Sequence, residues 1–320
     1  MESISIRIKT TLLKILDQIF LKGNYTLRTL TSVELMNKFY EYYRTSSETY
    51  ESEITSLVFS KDRAMQVHTF LSSYFENISN YSKMIVLYKA SDADHQKSYK
   101  ELENIFSEYP VTFIEEIKFR EQLIEEVSKC NSKKILFYVD DMIFTHKFDY
   151  KTLHEIDPYK TIISLTRGSD MTYSSVLLKY LDMPKFKEMD NGMLAFDWNH
   201  IKESSDWSYP LGVSGYMFAA KEYLAMIKTL SFKAPNSLEA AMQWYMPVFT
   251  NRKGICTKKA ISVCVHANLV QTEGYNPVLG LFSIEELLEK WNNGYQIEYS
   301  KFYNKSMTIT QEQNYTFVLR

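Results

Sequence analysis

Apolar and polar residues follow two alternating rhythms in the first half of the chain, from residue 54 onward. Short continuous apolar runs are separated by longer stretches in which apolar residues recur at helical spacing. Such runs indicate strands buried on both faces, and the stretches between them indicate amphipathic helices. The predicted strands are Ile54–Phe59, Met84–Tyr88, Val111–Ile114 and Lys134–Val139. Strand starts about 23 to 30 residues apart are typical of βαβ units, so we predict a parallel, doubly wound sheet.

The rhythm becomes less regular after Asp141. The predicted elements there are strands at Thr161–Leu165, Met193–Phe196 and Ala260–Val265, a short strand and then a helix within Gly212–Leu230, and a helix over Asn236–Phe249. Capping boxes at Asn236 to Glu239 and at Ser283 to Glu286 predict helix starts, because the two side chains of a box satisfy free backbone N–H groups.

Residues 1–52 are predicted to form a helical appendage followed by a polar linker. Apolar residues from Leu12 to Phe20 keep helical spacing with basic residues between them, and a capping box from Thr31 to Glu34 opens a second helix. A basic amphipathic segment packs on its own domain, which we favour, or lies on an anionic membrane surface. The predicted domains are the appendage 1–52, an α/β domain 53–294 and a tail 295–320.

Composition excludes several classes of protein. A formal net charge of −2 leaves no basic excess to neutralise a nucleic-acid backbone. Three scattered cysteines form no disulfide framework, which favours a reducing compartment. No run approaches the roughly 20 apolar residues of a membrane span, and Lys14 and Asp17 interrupt the first apolar stretch, which is therefore not a signal peptide. We predict a cytoplasmic protein, with a place at the inner face of the membrane as the open alternative.

The carboxylates Asp140 and Asp141 are the first candidates for chemistry. They directly follow the predicted strand Lys134–Val139, and ligands of open α/β sheets bind beyond the carboxyl ends of the strands. Adjacent carboxylates repel each other, so the site favours a cation, and oxygen ligands suit Mg²⁺ or Mn²⁺. The alternative is that one Asp caps a turn and the other is solvated. Spacing alone leaves both interpretations open.

Phosphate binding has to rely on groups other than a glycine-rich loop. The chain has nine glycines and contains neither GxGxxG after the first strand nor GxxxxGK[ST]. A phosphate must then be held by a metal, by Arg or Lys, or by a helix N-terminus. The turn Ser60-Lys61-Asp62-Arg63 after the first strand offers a helix N-terminus and two cations. The alternative is that Ser60 or Asp62 is an ordinary N-cap.

Taken in order, these pieces resemble GT-A fold glycosyltransferases, and more specifically bacterial nucleotide-diphospho-sugar transferases. The likeness runs from about Ile54 to Gly294, and its matching stretches are 57–63, 138–141, 164–168, 207–215, 235–239 and 268–271. It implies a GT-A-like (Rossmann-like), mostly parallel central sheet flanked by helices. It also implies transfer of a sugar, hexosyl-like, from a nucleotide-diphosphate donor to a saccharide or glycolipid acceptor hydroxyl in bacterial surface polysaccharide or glycoconjugate synthesis.

The family's metal motif is Asp-x-Asp, and this sequence departs from it. Either Asp140 is the first carboxylate and Met142 replaces the second, or Val139 replaces the first and Asp141 is the second. We prefer the second alignment because it keeps the metal-binding carboxylate. The resemblance implies Mn²⁺ or Mg²⁺ as cofactor, with His266 similar in placement to a later His that completes the metal site in fold relatives. The alternative is a core histidine.

Residues near the predicted strand ends receive further roles. The implied nucleotide-binding residues are Ser60, Arg63, Asp92 and Asp140, with Arg63 pairing with a phosphate and Asp92 accepting from the base. If the reaction inverts the anomeric centre, the acceptor hydroxyl needs a base. The candidates are Asp206 and Glu239, and we rank Asp206 slightly higher because the aromatic residues beside it can stack on sugars. The implied substrate residues are Arg167 and Trp207.

Two other functions stay open. The incomplete Asp-x-Asp motif is compatible with a non-catalytic nucleotide- or sugar-binding protein of the same fold. A sugar-nucleotide nucleotidyltransferase is less favoured, because those enzymes usually carry a glycine-rich basic loop after the first strand, and Ser60–Arg63 has no glycine.

Overall fold

The computed structural model describes residues 32–45, 49–201, 205–268, 270 and 280–320. The chain divides into two units, Met1–Ser46 and Ser47–Arg320. In the first unit, residues 32–45 form helix α1, which confirms the second predicted helix. The helix predicted around Leu12 to Phe20 and the capping residue Thr31 lie outside the described residues. None of the described helices is both long and apolar enough to cross a membrane.

The second unit consists of short strands and helices in alternation. Its strands are β1 Ser52–Lys61, β2 Ile78–Ser79, β3 Lys83–Lys89, β4 Val111–Glu115, β5 Ser132–Val139, β6 Met142–Phe144, β7 Phe148–Asp149, β8 Thr161–Gly168, β9 Tyr173–Ser174, β10 Lys179–Tyr180, β11 Lys187–Glu188, β12 Leu194–Phe196, β13 Tyr216–Ala219, β14 Lys253–Thr257, β15 Ser262–Val265, β16 Tyr295–Ile297, β17 Gln311–Glu312 and β18 Phe317–Leu319. Its helices are α2 Ala64–Asn77, α3 Ala93–Ile105, α4 Phe119–Lys129, α5 Lys151–His154, α6 Ala220–Thr229, α7 Pro235–Met242, α8 Met246–Phe249 and α9 Ile284–Asn292.

A central sheet, nine-stranded over the described residues, has the order β11-β12-β14-β8-β13-β5-β1-β3-β4. All of its strands except β12 and β13 point the same way. The predicted mostly parallel sheet is therefore confirmed. The four strands predicted before Asp141 are β1, β3, β4 and β5, and they form one continuous parallel half of the sheet.

The apolar runs of this half explain its place in the core. Leu57 of β1 lies opposite Ile85 of β3 and Phe137 of β5, and all three side chains are buried. Helix α2 covers one face with Val67 and Phe70, which are fully buried. Each such side chain contributes about 1.5–3 kcal/mol when it leaves water, so the continuous runs hold these strands inside.

The second half departs from the prediction at the helix proposed for Asn236–Phe249. The chain forms α7, a 3-10 turn and α8 instead, because Pro247 lacks the N–H that a continuing helix needs. The capping box predicted from Asn236 is also wrong: the N-cap is Ala234, whose N–H donates to the Ser237 hydroxyl at 3.0 Å.

The capping box predicted at Ser283 is confirmed. The Ser283 hydroxyl accepts from the Glu286 N–H at 3.1 Å, and the Glu286 carboxylate accepts from the Ser283 N–H at 2.7 Å. This box opens α9, and Gly294 follows the helix with a φ of 81°, where glycine carries no steric penalty.

Both ends of the second unit are more ordered than the sequence suggests. Strand β1 begins at Ser52, inside the predicted linker. The predicted tail 295–320 supplies β16 and β18, which pair with each other, and β17, which joins the sheet β17-β15-β6. Its Ile297, Phe302 and Met307 are buried, so these residues form part of the unit's core.

Candidate functional site

A cleft of about 530 Å³ opens at the carboxyl ends of β1, β3 and β5. Its floor and one wall contain the ends of these strands and the turn after β5. The lining also includes residues 213–214, the start of α7 and the end of β15, which lies beside Asp141. Parallel strands bring their carboxyl ends to one edge of the sheet, so residues distant in sequence meet there. This is the edge at which the sequence predicts a ligand.

The turn after β1 shapes the cleft floor. Asp62 has a φ of 53°, a left-handed conformation that Asp tolerates better than most residues. Its carboxylate accepts from the Ser91 N–H at 2.7 Å and from the Ser91 hydroxyl at 2.6 Å, which ties the turn to the loop after β3. The N-cap of α2 is Arg63, without a side-chain cap. Neither Ser60 nor Asp62 is therefore the ordinary N-cap that the sequence left open.

Asp140 is held on both oxygens. Arg63 Nη1 donates to its Oδ1 at 2.9 Å, and the Ser60 hydroxyl donates to its Oδ2 at 2.8 Å. The Ser60 hydroxyl also lies 2.6 Å from the Tyr99 hydroxyl. The pKa of Asp140 is raised to about 6, mainly because the carboxylate is buried. The guanidinium of Arg63 lowers this pKa, and the negative charge of Asp141 raises it. Asp140 is thus a buried, fully partnered carboxylate.

The guanidinium of Arg63 is directed at protein groups. Besides Asp140, its Nε donates to Asn268 Oδ1 at 2.9 Å and its Nη2 donates to the Asn268 carbonyl. Gln66 Nε2 donates to the same Oδ1 at 2.9 Å. The structure therefore does not show Arg63 turned toward the cleft as a phosphate ligand. It shows Arg63 as the cation that compensates the carboxylate pair.

Asp141 differs from Asp140 because one of its carboxylate oxygens has no hydrogen-bond donor among the described residues. Its Oδ2 lies 3.4 Å from Arg63 Nη1 and 3.6 Å from His266 Nε2. Its Oδ1 is buried, and no described residue donates a hydrogen bond to it. Asp206 Oδ2 is also buried without a described donor, but Asp141 is the one of the two that lines the cleft, where a ligand could supply the missing contact. The alternative in which one of the two carboxylates is solvated is wrong, since both are buried.

These residues fit a divalent ion that is bound in part by the protein. Asp141 offers a hard oxygen and His266 an imidazole on the same side of the cleft. Met142, which stands at the second Asp position of the motif in the other alignment, is fully buried. Within the described part of the chain, no three His, Cys, Asp or Glu side chains come together as a metal cluster. The remaining ligands of the ion would have to be oxygen atoms of a bound substrate and of water.

The two candidate bases lie in different places. Glu239 lines the cleft and accepts from the Tyr209 hydroxyl at 3.0 Å and from the Val213 N–H at 2.9 Å. Burial raises the pKa of Glu239. Asp206 lies 3.9 Å from Arg167 Nη2 and is not among the residues that line the cleft. Only Glu239 is therefore open to a ligand in the cleft.

Three other predicted residues are not brought to the cleft. Trp207 is 1% exposed and packs edge-on against Phe186 and Phe196, so it is a core residue and not a sugar platform. Arg167 donates to the Tyr216 hydroxyl at 3.1 Å. Asp92 caps α3 by accepting from the His95 N–H at 2.9 Å. Each of these side chains contacts neighbours that are not among the residues lining the cleft.

Three residues of the site region have no role predicted from the sequence. Lys89 lies opposite Lys61 in the parallel register of β3 and β1, so the two strand ends place both lysines along the cleft. The parallel pairing of these two strands would be enough to predict that the two lysines lie side by side. Asn268 stands in one of the stretches that carry the family resemblance. Tyr99 has no local signal, because it occupies an ordinary apolar position of α3.

No family model matches the chain. In sequence it is similar to the bifunctional glycosyltransferase pgtA of Dictyostelium discoideum, with 24% identity over 196 residues, covering 55% of this chain and 25% of that protein. The chain thus spans about a quarter of the length of this curated relative.

The solved structures with a similar fold include S. aureus TarS, with a TM-score of 0.43, 13% identity and coverage of 67% of this chain and 37% of TarS. They also include the mannosyltransferase PcManGT from Pyrobaculum calidifontis in complex with GDP-Man and Mn²⁺, with a TM-score of 0.39, 13% identity and coverage of 78% of this chain and 70% of that chain. The match to pgtA is a sequence similarity to a glycosyltransferase, the class that the sequence motifs predicted.

Proposed function

We propose that the chain transfers a sugar from a nucleotide-diphosphate donor to an acceptor hydroxyl. The observation that carries the proposal is the buried Asp141 Oδ1, which has no donor among the described residues and lies beside His266 in a cleft at the strand ends. The sequence similarity to a glycosyltransferase supports the reaction class. A place in bacterial surface polysaccharide or glycoconjugate synthesis rests on the family resemblance alone.

Asp141 and His266 would hold the divalent ion. A bound Mn²⁺ or Mg²⁺ stabilises the negative charge that grows on the leaving diphosphate. The protein's own contribution is to fix Asp141 beforehand: Arg63 holds both carboxylates, and Asn268 holds Arg63. A carboxylate fixed in this way does not lose side-chain freedom when the donor arrives.

The nucleotide would lie across the ends of β1, β3 and β5. Lys61 and Lys89 line this part of the cleft and carry charge opposite to that of a diphosphate. Ser60, Arg63 and Asp140 form the buried layer beneath it. All three also border the cleft, and we assign them to positioning the site because their side chains are hydrogen-bonded to one another.

We propose Glu239 as the base that takes the proton from the acceptor hydroxyl. It lines the same cleft as Asp141, and its burial raises its pKa, which makes the carboxylate a better proton acceptor. Asp206, ranked higher from the sequence, lies outside the cleft lining. Glu239→Gln should abolish most turnover while Asp206→Asn leaves turnover near the wild-type rate. The reverse result would return the role to Asp206.

A thermal-shift panel of nucleotide diphosphates, with and without Mn²⁺, tests the proposed function. One nucleotide should raise the melting temperature in a metal-dependent way, by an amount that grows with its concentration. Hydrolysis of the matching sugar nucleotide, measured on the same samples, separates an enzyme from a binding protein. Metal-dependent stabilisation without any turnover would favour the non-catalytic alternative. Stabilisation by nucleoside triphosphates alone would favour a nucleotidyltransferase.

A further inference from the structure

The Glu239 side chain accepts a hydrogen bond on each of its carboxylate oxygens. The Tyr209 hydroxyl donates to Oε1 at 3.0 Å, and the Val213 N–H donates to Oε2 at 2.9 Å. A carboxylate has about four lone-pair positions, so two remain for a ligand in the cleft that Glu239 lines. The two bonds therefore fix the carboxylate and leave it able to accept a proton.

Tyr209 is held in turn through its backbone. The Tyr216 hydroxyl donates to the Tyr209 carbonyl at 2.6 Å, and Arg167 Nη2 donates to the Tyr216 hydroxyl at 3.1 Å. Arg167 belongs to β8 and Tyr216 to β13, and these two strands pair in the central sheet. The bonds are not a proton relay, because Tyr216 donates to a carbonyl and not to the Tyr209 hydroxyl. They hold the loop that carries Tyr209 against the sheet.

Asp206 takes no direct part in this chain of bonds. Its Oδ1 lies 3.9 Å from Arg167 Nη2, which is too long for a hydrogen bond, whereas the bond from Arg167 to Tyr216 is well within range. The influence of Arg167 on the cleft is therefore exerted through Tyr216 and Tyr209.

The helix that carries Glu239 is bonded to the same loop. Gln243 Nε2 donates to the Leu211 carbonyl at 2.7 Å and to the Glu239 carbonyl at 2.9 Å. Loop residues Tyr209, Leu211 and Val213 thus all contact α7, and two of the three bond to the Glu239 carboxylate. The loop therefore fixes the direction of this side chain as well as the position of the helix.

The charge of Glu239 depends on its hydrogen bonds and on one cation. The titratable groups that interact with it electrostatically are Arg167, Tyr209, Tyr216, Tyr223 and Cys264. Burial raises the pKa of the three tyrosines and of the Cys264 thiol, so of these five only Arg167 is charged at neutral pH. Burial also raises the pKa of Glu239, whereas the Val213 N–H, the Tyr209 hydroxyl and Arg167 lower it.

We propose that Tyr209 is a positioning residue for Glu239, and that Tyr216 and Arg167 act on Glu239 by holding Tyr209. This inference rests on the proposed function, in which Glu239 is the base. The Tyr209 hydroxyl stabilises the ionised carboxylate and keeps it at the cleft, where it can take the proton of the acceptor hydroxyl. Tyr209 itself neither gains nor loses a proton in this role.

The first test follows the ionisation of Glu239 without any turnover. Because the folded pKa is above the ordinary value of 4.5, the unfolding free energy of the wild type relative to Glu239→Gln should fall as the pH rises from 4.5 and level off above the folded pKa. When both chains also carry Tyr209→Phe, this difference should level off about one pH unit higher, because the charged form has lost a hydrogen bond.

Tyr223→Phe is the matched control for this test. Tyr223 is a buried neighbour of Glu239, and its hydroxyl has no hydrogen-bond partner among the described residues. Removing that hydroxyl should leave the pH at which the difference levels off unchanged. The control separates loss of the bond to Glu239 from loss of a buried hydroxyl.

The second test uses sugar transfer. In Tyr209→Phe, the acid limb of the pH profile of turnover should move up by the same pH unit, so turnover falls up to about tenfold at low pH and much less at high pH. A purely structural role would lower turnover equally at every pH.

Variants of the other two residues test the order of the chain. Tyr216→Phe should give a smaller shift than Tyr209→Phe, and so should Arg167→Lys, which keeps the charge but loses the planar guanidinium. Tyr209→Phe combined with Tyr216→Phe should shift the pKa of Glu239 no further than Tyr209→Phe alone, since Tyr216 acts through Tyr209. If Tyr209→Phe does not fold, the shift in Tyr216→Phe decides the question.

Two results would overturn the inference. Folded Tyr209→Phe could level off at the wild-type pH, or Tyr223→Phe could shift the curve as far as Tyr209→Phe does, which would assign the shift to general packing. A wild type without any sugar transfer would instead contradict the proposed function. The stability curves would still decide whether Tyr209 controls the ionisation of Glu239.

Discussion

Among the residues that the structure describes, two arginines are buried with acidic partners, one in each half of the central sheet. Arg252, beside β14, makes a two-pronged pair with Glu222 of α6, donates to the Pro158 carbonyl at 2.8 Å and lies 3.8 Å over the Phe249 ring. Arg63, at the start of α2, faces the two carboxylates Asp140 and Asp141.

The difference lies in the balance of charge. Around Arg252, one guanidinium meets one carboxylate, and both carboxylate oxygens have donors. Around Arg63, one guanidinium meets two carboxylates, and Asp141 Oδ1 is left without a described donor. The Arg252 pair is balanced in charge, so its role is to stabilise the fold. The Arg63 group has one more negative charge than positive charge and borders a cleft, so a positively charged ligand can complete it.

Replacing either arginine should have the largest effect on stability of the changes considered. Arg63→Met should lower the free energy of unfolding by about 3–5 kcal/mol at pH 8, because two buried carboxylates lose their counterion. Arg252→Met should lower it by a similar or smaller amount, since only one carboxylate loses its partner. Chemical denaturation measures both. Equal turnover per folded molecule in the two variants would contradict the assignment of Arg63 to the site.

Neutralising one carboxylate in each set gives opposite expectations. Asp141→Asn should slow sugar transfer by on the order of a hundredfold, about 3 kcal/mol, because a neutral amide is a poorer ligand for a hard cation. Its melting temperature should stay the same or rise, since the change relieves repulsion between adjacent carboxylates. Glu222→Gln should lower stability and leave turnover per folded molecule unchanged. Wild-type turnover in folded Asp141→Asn would remove Asp141 from the mechanism.

The pH dependence of stability sharpens the comparison further. Because the pKa of Asp140 in the folded chain, about 6, is above its ordinary value of 3.8, the folded state binds this proton more tightly than the unfolded state. That contribution favours folding below about pH 4 and is lost as the pH rises through about 6. The stability of wild type relative to Asp140→Asn should therefore fall by on the order of 2 kcal/mol between pH 4 and pH 7. A difference that is flat over this range would show that Arg63 outweighs burial.

The smallest expected effect sets a baseline away from both arginines. Ser283→Ala removes the side-chain cap of α9 and should cost about 1 kcal/mol of stability without changing turnover per folded molecule. Ser283→Asp, which keeps a capping oxygen, should lose much less. A loss of turnover in a folded Ser283→Ala variant would mean that the site depends on packing well outside the cleft.

The two halves also differ in how well their sequence predicts them. β1, β3, β4 and β5 are apolar runs of about the right length, and each is found within a few residues of its predicted bounds. The box at Ser283 is equally local. In the second half, the pattern at Asn236 imitates a capping box, yet Glu239 is drawn instead to Tyr209 and Val213, which fold against α7 from an earlier segment.

The sequence by itself determined the parallel half of the sheet, the edge at which Asp140 and Asp141 emerge and the resemblance to glycosyltransferases, because continuous apolar runs and strand-end residues are local features of the chain. Only the tertiary structure decided what each carboxylate does. Asn268 and Asp140 reach Arg63 across 205 and 77 residues of sequence, and neither contact leaves a local pattern. The burial of Trp207 is likewise not predicted by the local sequence, because an aromatic residue in a predicted loop can be either buried or exposed. Burial and charge balance depend on which distant segments pack together, and that is where the open carboxylate of Asp141 was distinguished from the closed one of Asp140.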